Sequence, residues 1–490
     1  MPIDFIAIMP EIVLTVTALI VLAADLALRG DAKQLVNPLA TFGTLIAIGF
    51  TVFLWGDERT TFGTMFVVDA YAVVFKLVFL VALLAILGIS WRFFAEGRYF
   101  QGEYYFLLLT SFIGMVLMPS ARDLLLLFVA LETVSIPAFV MAGLRKRDLY
   151  SSEAALKFFI IGVLSVALML FGMSMVYGFT GTTDLVGIAE AIRAGDADVP
   201  LLLGSVMLVI VGFGFKVSAV PFHFWAPDTY AGSPMPVAAM LAVASKAAGF
   251  AGLIAIAFVA FEPLAEVWAP VLGVIAILTM TLGNLIALQQ RDLIRLLAYS
   301  SVAQAGYMLV PFGLARSGSD AIAVNDAAVQ AVLFYLAAYA VMNIGAFGVA
   351  IAVNRRTGLR SIADYAGLSA RSPLLALALT VFLLSLGGAP PTVGLWAKFA
   401  ILEAITVDVT AFGVVLGSFV VINSVIAFFY YLKVVKTLWM DEAREGLPTL
   451  QPGFNLSAVV VVLMVGTVVL GVLPGLITDF TSITSVLATG

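Results

Sequence analysis

Long apolar runs separated by short polar connections occupy most of the chain. A helix that spans a bilayer needs about 20 apolar residues. Runs of this kind predict fourteen spans, at residues 5–28, 37–55, 69–90, 104–119, 123–143, 154–179, 200–221, 234–260, 266–289, 293–314, 326–353, 373–407, 410–435 and 455–480. The longest polar stretch, residues 180–200, leaves no room for an extramembrane domain. The pattern therefore predicts an all-α polytopic membrane protein with a single transmembrane domain over residues 1–490.

The composition supports a membrane protein and narrows its chemistry. Of the 490 residues 62% are hydrophobic and 11% charged, whereas soluble domains carry about 25% charged residues. The net charge of −5 lacks the basic excess that nucleic-acid binding needs, so we expect the lipid bilayer and no nucleic acid as a partner. With no cysteine and one histidine, thiolate metal sites, iron–sulfur clusters, disulfides and bis-histidine haem are excluded. We expect no metal or cofactor in this chain.

The basic residues of the connections lie mostly on one side. If the N-terminus is outside, the inner turns hold 16 of the Lys and Arg residues, and the outer turns hold Arg59, Arg122, Arg193 and Arg316. Cytoplasmic loops carry such an excess, and an odd number of spans would break this alternation. We therefore expect both termini on the outer side.

Five lysines lie inside the apolar runs, where an ionisable side chain is a functional candidate by default. Lys76 is near a span end, which favours a side chain that extends to the lipid headgroups. Lys157 is also near a span end, and either interpretation is open. Lys216, Lys246 and Lys398 lie about two or more turns from any interface, too deep for that explanation.

Glu132 lies near the middle of its span and is the acidic counterpart of these lysines. The simplest structural alternative is a Glu132–Lys216 ion pair that only holds helices together. One acid cannot neutralise three bases, however, which favours a functional role for the group.

Two of the lysine-bearing spans also contain helix breaks. Lys216 is followed by VSAVP, and Lys398 comes after GGAPP. Proline removes an amide donor and exposes backbone groups that cannot stay unsatisfied in lipid. A charge beside a broken helix near mid-membrane is typical of ion-coupled transporters, although a kink that serves packing alone is also common.

Short matches suggest an internal repeat. Residues 122–124 and 291–293 are both RDL, an offset of 169; residues 153–156 resemble 330–333, an offset of 177; Lys216 and Lys398 differ by 182. These matches relate a first five-helix repeat at 104–260 to a second at 266–435, with three N-terminal helices in 1–100 and a C-terminal helix at 455–480. An odd number of spans inverts the second copy, and Ser301 falls opposite Glu132. The predicted fold therefore has about fourteen transmembrane helices, two inverted five-helix repeats and two broken helices.

Several segments resemble one known family. Residues 215–230, FKVSAVPFHFWAPDTY, with 234–239 and 245–250, resemble the central signature of the antiporter-like subunits of respiratory complex I. Residues 295–301, RLLAYSS, and 390–399, PPTVGLWAKF, are similar to its other signatures. Three such subunits exist. The chain lacks the long C-terminal extension of the largest, and it has Lys398 where the middle one usually has Glu, so it resembles the member beside the quinone-side subunits.

The resemblance implies a proton-translocating membrane-arm subunit of NADH:quinone oxidoreductase, in which quinone reduction elsewhere drives proton pumping. It implies that Glu132 and Lys216 form a charge pair, that Lys246 is the central proton carrier and that Lys398 is the terminal group. It further implies that the chain carries no redox centre, and that NADH, FMN, iron–sulfur clusters and quinone bind to partner subunits.

Three further residues are expected to support the relay: Lys157, His223 and Tyr307. The family often has His where this chain has Gln304, and glutamine cannot titrate. We therefore expect any relay at that position to use water or Tyr307. His223 lies at a helix break, where a purely structural hydrogen-bonding role is an equal alternative.

The resemblance also implies neighbours and a location. The expected partners are the middle antiporter-like subunit on one side and the small quinone-side subunits on the other, and the expected location is the bacterial inner membrane, with both termini periplasmic. The alternative function is a subunit of a cation/proton antiporter, which shares these signatures. A structural scaffold that retains vestigial charges is a third interpretation.

Overall fold

The computed structural model describes residues 3–96, 101–145, 148–195, 199–318, 321–358, 360–443, 450 and 453–481. Its α-helices are α1 Met9–Ala27, α2 Val36–Phe53, α3 Ala70–Glu96, α4 Gln101–Leu117, α5 Leu124–Ala142, α6 Leu149–Thr180, α7 Leu185–Ala194, α8 Val199–Val217, α9 Trp225–Gly232, α10 Met235–Met240, α11 Lys246–Ala255, α12 Ala265–Ala287, α13 Leu293–Leu309, α14 Ile322–Thr357, α15 Leu368–Arg371, α16 Pro373–Gly387, α17 Val393–Val407, α18 Ala411–Trp439, α19 Phe454–Val472 and α20 Gly475–Thr481. Two π-helical turns, Leu241–Ser245 and Ile256–Ala260, flank α11.

The remaining elements are short. The 3₁₀ turns are Gly30–Leu35, Met118–Ser120, Glu262–Leu264, Val310–Leu314 and Ile362–Tyr365. Strands β1 Arg59–Thr61 and β2 Phe66–Val68 form an antiparallel hairpin with Arg59 opposite Val68. Neither this hairpin nor α7, which lies in the polar stretch at 180–200, was expected from the apolar pattern.

Thirteen helical stretches among the described residues are long and apolar enough to cross a membrane. The predicted span at 373–407 is instead divided into α16 and α17, of 15 residues each. The thirteen stretches and the divided span together confirm the predicted all-α polytopic membrane fold. Of the predicted domain at 1–490, the residues outside the part that the structure describes are 1–2, 97–100, 146–147, 196–198, 319–320, 359, 444–449, 451–452 and 482–490.

Aspartate side chains begin several of the spans. Asp123 accepts hydrogen bonds from the amides of Leu125 and Leu126 at the start of α5, and Asp292 accepts one from the amide of Arg295 in α13. The first amides of a helix have no partner within the helix, so these carboxylates satisfy donors that would otherwise be left free. The two RDL segments of the sequence are therefore helix caps.

Two isolated antiparallel bridges join the connections of the bundle. One pairs Asp123 with Asp184, and the other pairs Asp292 with Ser361. Five spans separate the start of α5 from the start of α13, so the bridges lie at opposite ends of the bundle. Their positions differ by 169 and 177, the offsets of the two short sequence matches.

The two helix breaks have the same backbone hydrogen bonds. After α8, the amide of Ala219 donates to the carbonyl of Gly214, five residues earlier. After α16, the amide of Ala389 donates to the carbonyl of Leu384. Each of these two helices therefore ends in the same turn, closed by a hydrogen bond between residues five positions apart.

The residue before each of these alanines has a positive φ, +60° at Ser218 and +93° at Gly388, a conformation that glycine adopts most easily. The two breaks are 170 positions apart. The expected equivalence of Lys216 and Lys398, which differ by 182, is therefore wrong, because Lys216 precedes its break and Lys398 follows the other one. Matched at the breaks, Lys398 corresponds to Asp228.

Candidate functional site

Lys216, at the end of α8, is buried and faces α5. It is 1% exposed, and its Nζ donates to Ser135 Oγ at 3.0 Å. Glu132 is partly buried, its Oε1 has no hydrogen-bond partner, and no ion pair within 4.0 Å joins it to Lys216 among the described residues. The two groups are therefore not in direct contact in this conformation, and their role as a charge pair stays a prediction. Glu132 and Ser135 lie three residues apart on one face of α5. A change in the side-chain conformation of Lys216 alone would therefore bring its ammonium near either residue.

Lys246 is the first residue of α11 and lies just after the π turn Leu241–Ser245. It is 2% exposed, and its Nζ donates to the carbonyl and the hydroxyl of Ser301 in α13, at 2.8 and 2.5 Å. Gly249 is one turn further along α11, and a Cβ there would lie 2.9 Å from Lys216 Cγ. The absence of a side chain at Gly249 thus lets α8 approach α11 closely and places Lys216 beside the face that carries Lys246.

Gln304 lies one turn beyond Ser301 on α13 and is buried. Its Nε2 donates to the carbonyl of Leu386 in α16 at 3.2 Å and faces Tyr431 OH in α18 at 3.4 Å. Its Oε1 accepts from Tyr335 OH of α14 at 2.5 Å. Tyr431 OH also hydrogen bonds to Ser300 Oγ. The hydroxyls that contact Gln304 are therefore those of Tyr335 and Tyr431, and a relay at this position through water or Tyr307 stays a prediction.

Lys398 lies on α17 at the far side of the same group. It is 6% exposed; its Nζ donates to the carbonyl of Gly387 at 2.7 Å and lies 5.0 Å from the ring centre of Tyr307. The hydroxyl of Tyr307 accepts from Asn284 Nδ2. Lys398 also lines an apolar groove of about 370 Å³ between α17 and α18, on the outside of the bundle.

These side chains form a row across the middle of the bundle, from α5 through α8, α11 and α13 to α17. Its lysines, Lys216, Lys246 and Lys398, are buried, and among the described residues none has a carboxylate within 4.0 Å. Burying a charge without a counter-charge is costly, so the proton occupancy of each lysine depends on the charges around it. Such a row is suited to moving protons or charge laterally through the membrane.

Lys157 lies apart from this row. Its side chain is 43% exposed, and Nζ pairs with Glu153 at 2.7 Å and with Asp228 of α9 at 2.8 Å. Asp228 in turn pairs with Arg295 of α13 at 2.7 Å. The network ties α6, α9 and α13 together, and a role for Lys157 in the relay stays a prediction.

His223 lies in the break between α8 and α9. It is 6% exposed, and its Nδ1 has no hydrogen-bond partner among the described residues. A purely structural hydrogen-bonding role therefore leaves Nδ1 of this side chain unexplained. Its place in a relay is a prediction.

Lys76 differs from what its position near a span end suggests. It is fully buried, and its Nζ lies 2.7 Å from Glu11 Oε1 and 4.7 Å from the ring centre of Phe66. The interpretation as a side chain extending to the headgroups is wrong, because a counter-charge on α1, 65 positions earlier, replaces that contact. The pair joins α1 to α3 and lies outside the row.

Replacing Lys76 by methionine should destabilise the N-terminal helices, because Glu11 would remain buried without its counter-charge. Breaking a buried pair on one side costs about 3–5 kcal/mol. The thermal unfolding midpoint of the purified protein should fall, and it should recover in the double variant Glu11→Gln/Lys76→Met. Equal midpoints for the single and double variants would contradict this assignment.

Sequence reasoning missed the partners of the lysines. The hydroxyls of Ser135, Ser301, Tyr335 and Tyr431 meet lysines or Gln304 across 31 to 127 positions of sequence. Serine and tyrosine are common in membrane helices, so their presence alone carries little signal. The one usable signal was the position of Ser301 opposite Glu132 in the repeat.

Comparisons with known proteins agree with this architecture. Residues 121–426 match the protein-family model described as NADH:quinone oxidoreductase/Mrp antiporter, TM. The NADH-quinone oxidoreductase subunit N of Trichlorobacter lovleyi is 36% identical over 476 residues, covering 96% of this chain and 95% of that protein. NADH-quinone oxidoreductase subunit N 2 of Streptomyces griseus is 43% identical over 465 residues, covering 91% and 84%.

Solved structures show the same fold. A chain of respiratory complex I from Thermus thermophilus superposes with a TM-score of 0.77 at 32% identity, covering 96% of this chain and 98% of that chain. A chain of the Mrp complex from Dietzia sp. gives a TM-score of 0.80 at 20% identity, with 98% and 96% covered, and shares the fold alone. Because the chain is 36–43% identical to these relatives over nearly its full length, it belongs to the family of NADH-quinone oxidoreductase subunit N, an antiporter-like membrane subunit.

Proposed function

We propose that this chain is a proton-translocating membrane-arm subunit of NADH:quinone oxidoreductase, and that Glu132, Lys216, Lys246 and Lys398 form its relay. The observation that carries the proposal is the row of three buried lysines, on α8, α11 and α17, none of which has a carboxylate within 4.0 Å among the described residues. Lys157, His223 and Tyr307 are supporting members. With no cysteine the chain has no thiolate ligands for iron–sulfur clusters, and in this proposal those clusters, with NADH, FMN and quinone, bind to partner subunits.

The switch is the position of the Lys216 ammonium between Ser135 and Glu132. At about 2.3 kcal/mol per 100 mV, moving one proton against about 150 mV takes about 3.5 kcal/mol. Forming or breaking a buried ion pair is worth about 3–5 kcal/mol, which is the size required. With Lys216 paired to Glu132, Lys246 holds a proton; with Lys216 on Ser135, the unpaired ammonium repels that proton toward Lys398.

The two halves of the bundle are inverted repeats in this proposal. The bridges Asp123–Asp184 and Asp292–Ser361 lie at opposite ends of the bundle, and the two breaks share one hydrogen-bond pattern. Both observations support repeats at 104–260 and 266–435, with the three N-terminal helices and the C-terminal helix outside them.

The neighbours and the orientation follow from the same proposal. Other subunits of the complex are the partners, with the middle antiporter-like subunit on one side and the small quinone-side subunits on the other. The groove beside Lys398 opens on the outside of the bundle, which supports a neighbour at that end of the row. The excess of basic residues in alternate turns supports a bacterial inner-membrane protein with both termini periplasmic.

A cation/proton antiporter subunit is the alternative function. The matching family model supports it, because its description names the Mrp antiporter beside NADH:quinone oxidoreductase. A scaffold with vestigial charges is less well supported, because three buried lysines with no carboxylate within 4.0 Å in the described part of the chain cost stability that a scaffold has no reason to retain.

Purification of the chain from its native membrane in mild detergent tests the proposal. We expect it to co-purify with NADH oxidation coupled to quinone reduction. The control is a tagged redox subunit, which shows that the complex survives the detergent. If the chain emerges alone while that control stays assembled, and exchanges sodium for protons in vesicles, the antiporter function replaces the proposal.

A further inference from the structure

The contacts of Gln304 place it between the two ends of the row. On one side, Lys246 bonds to Ser301, and the adjacent Ser300 bonds to Tyr431 OH. On the other side, Lys398 bonds to the carbonyl of Gly387, next to Leu386. Gln304 contacts both sides.

The amide of Gln304 is held in one orientation. The carbonyl of Leu386 can only accept a hydrogen bond, so the side-chain atom facing it at 3.2 Å must be Nε2. Oε1 is then the atom that faces Tyr335, whose hydroxyl must donate to it. Turning the amide over would set two acceptors, Oε1 and the Leu386 carbonyl, against each other.

A held amide does not carry a proton. A proton relay needs a group that accepts a proton at one atom and releases one from another, as imidazole, carboxyl and hydroxyl groups do. The amide nitrogen has no free lone pair, and neither amide atom titrates in the physiological range. Gln304 is 1% exposed, as is Tyr335, and Tyr431 is fully buried, so protein atoms fill the surroundings of the amide.

We propose that Gln304 is a proton barrier between Lys246 and Lys398. In this conformation the two lysines influence each other through their charges, and a proton passes between them only when the contacts of the amide with Leu386 and Tyr335 are broken. Gln304 thus prevents backflow of protons from Lys398 to Lys246 whenever these contacts are intact. This inference rests on the proposed proton role of Lys246.

The test is the passive proton leak of the purified complex in proteoliposomes, measured without NADH after a pH jump. Gln304→Glu keeps the shape of the side chain and adds a titratable group. Because a well-placed acid or base contributes a factor of about 10² or more to proton transfer, the leak should rise at least tenfold. Gln304→Leu cannot carry a proton and should keep the leak at the wild-type level. Gln290→Glu is the matched control, since Gln290 lies outside the row and its side-chain amide donates to the carbonyl of Ile286.

A second arm separates this inference from the proposed function. Adding Lys246→Met to Gln304→Glu should remove the leak, because the path through residue 304 begins at Lys246. A leak that persists in the double variant, or no leak in Gln304→Glu, overturns the barrier. So does a loss of NADH-driven pumping in Gln304→Leu with pumping retained in Gln304→Glu, which would make Gln304 part of the path. Normal NADH-driven pumping in Lys246→Met alone would instead refute the proposed relay.

Discussion

Lys246→Met is expected to abolish NADH-driven proton translocation while the complex still assembles. Lys246 is 2% exposed, and among the described residues its ammonium bonds to Ser301 alone, so an unbranched apolar side chain of similar length fills its space. The proton-carrying group is lost, and proton transfer by a positioned group is worth a factor of about 10² or more. Dye-reported proton uptake into proteoliposomes during NADH oxidation measures the loss.

The matched control for Lys246→Met is Lys433→Met. Lys433 is exposed on α18 and lies outside the row, so its loss should leave both assembly and translocation unchanged. Unimpaired translocation in Lys246→Met would show that the central lysine is not a proton carrier.

Glu132→Gln is expected to be nearly as severe, and Glu132→Asp mild. Lys216 rests on Ser135, and Glu132 is the one acid of the row to which its ammonium can move. Without that charge the switch loses an interaction worth about 3–5 kcal/mol and stays in one position. Aspartate keeps the charge and shortens the side chain by one methylene. The ratio of protons moved to NADH oxidised distinguishes the two variants.

Glu266→Gln is the control for this pair of variants, because its side chain is 58% exposed at the end of the bundle. It should leave the ratio unchanged. Equal effects of Glu132→Gln and Glu132→Asp would mean that shape, not charge, matters at this position, and that Glu132 serves packing.

The spans could be predicted well because lipid imposes one requirement on every segment that crosses it. Each backbone group must be satisfied within its own helix, and the apolar length follows from the bilayer thickness. Span α16–α17 shows the limit of this argument. Its apolar run continues through the break, so hydropathy alone does not show where one helix ends and the next begins.

The lysines could be found from the sequence, but not their contacts. A charge in an apolar run is conspicuous because lipid makes it costly. Its partner depends on which helices touch, and that is a tertiary property. Lys76 shows this directly: its depth suggested the headgroups, and packing placed Glu11 of α1 beside it instead. Lys216 likewise bonds to Ser135, which nothing near it in the sequence indicates.

Because of the π turn at Leu241–Ser245, the direction of Lys246 depends on the number of residues in this segment as much as on which residues they are. A π turn is an α-helical turn with one residue added, and each residue of an α-helix turns the chain by about 100°. A single-residue deletion between positions 241 and 245 would restore a regular helix and rotate Lys246 away from Ser301 by about that angle. Insertions and deletions here should therefore be far less tolerated than conservative replacements of the same five apolar or small side chains.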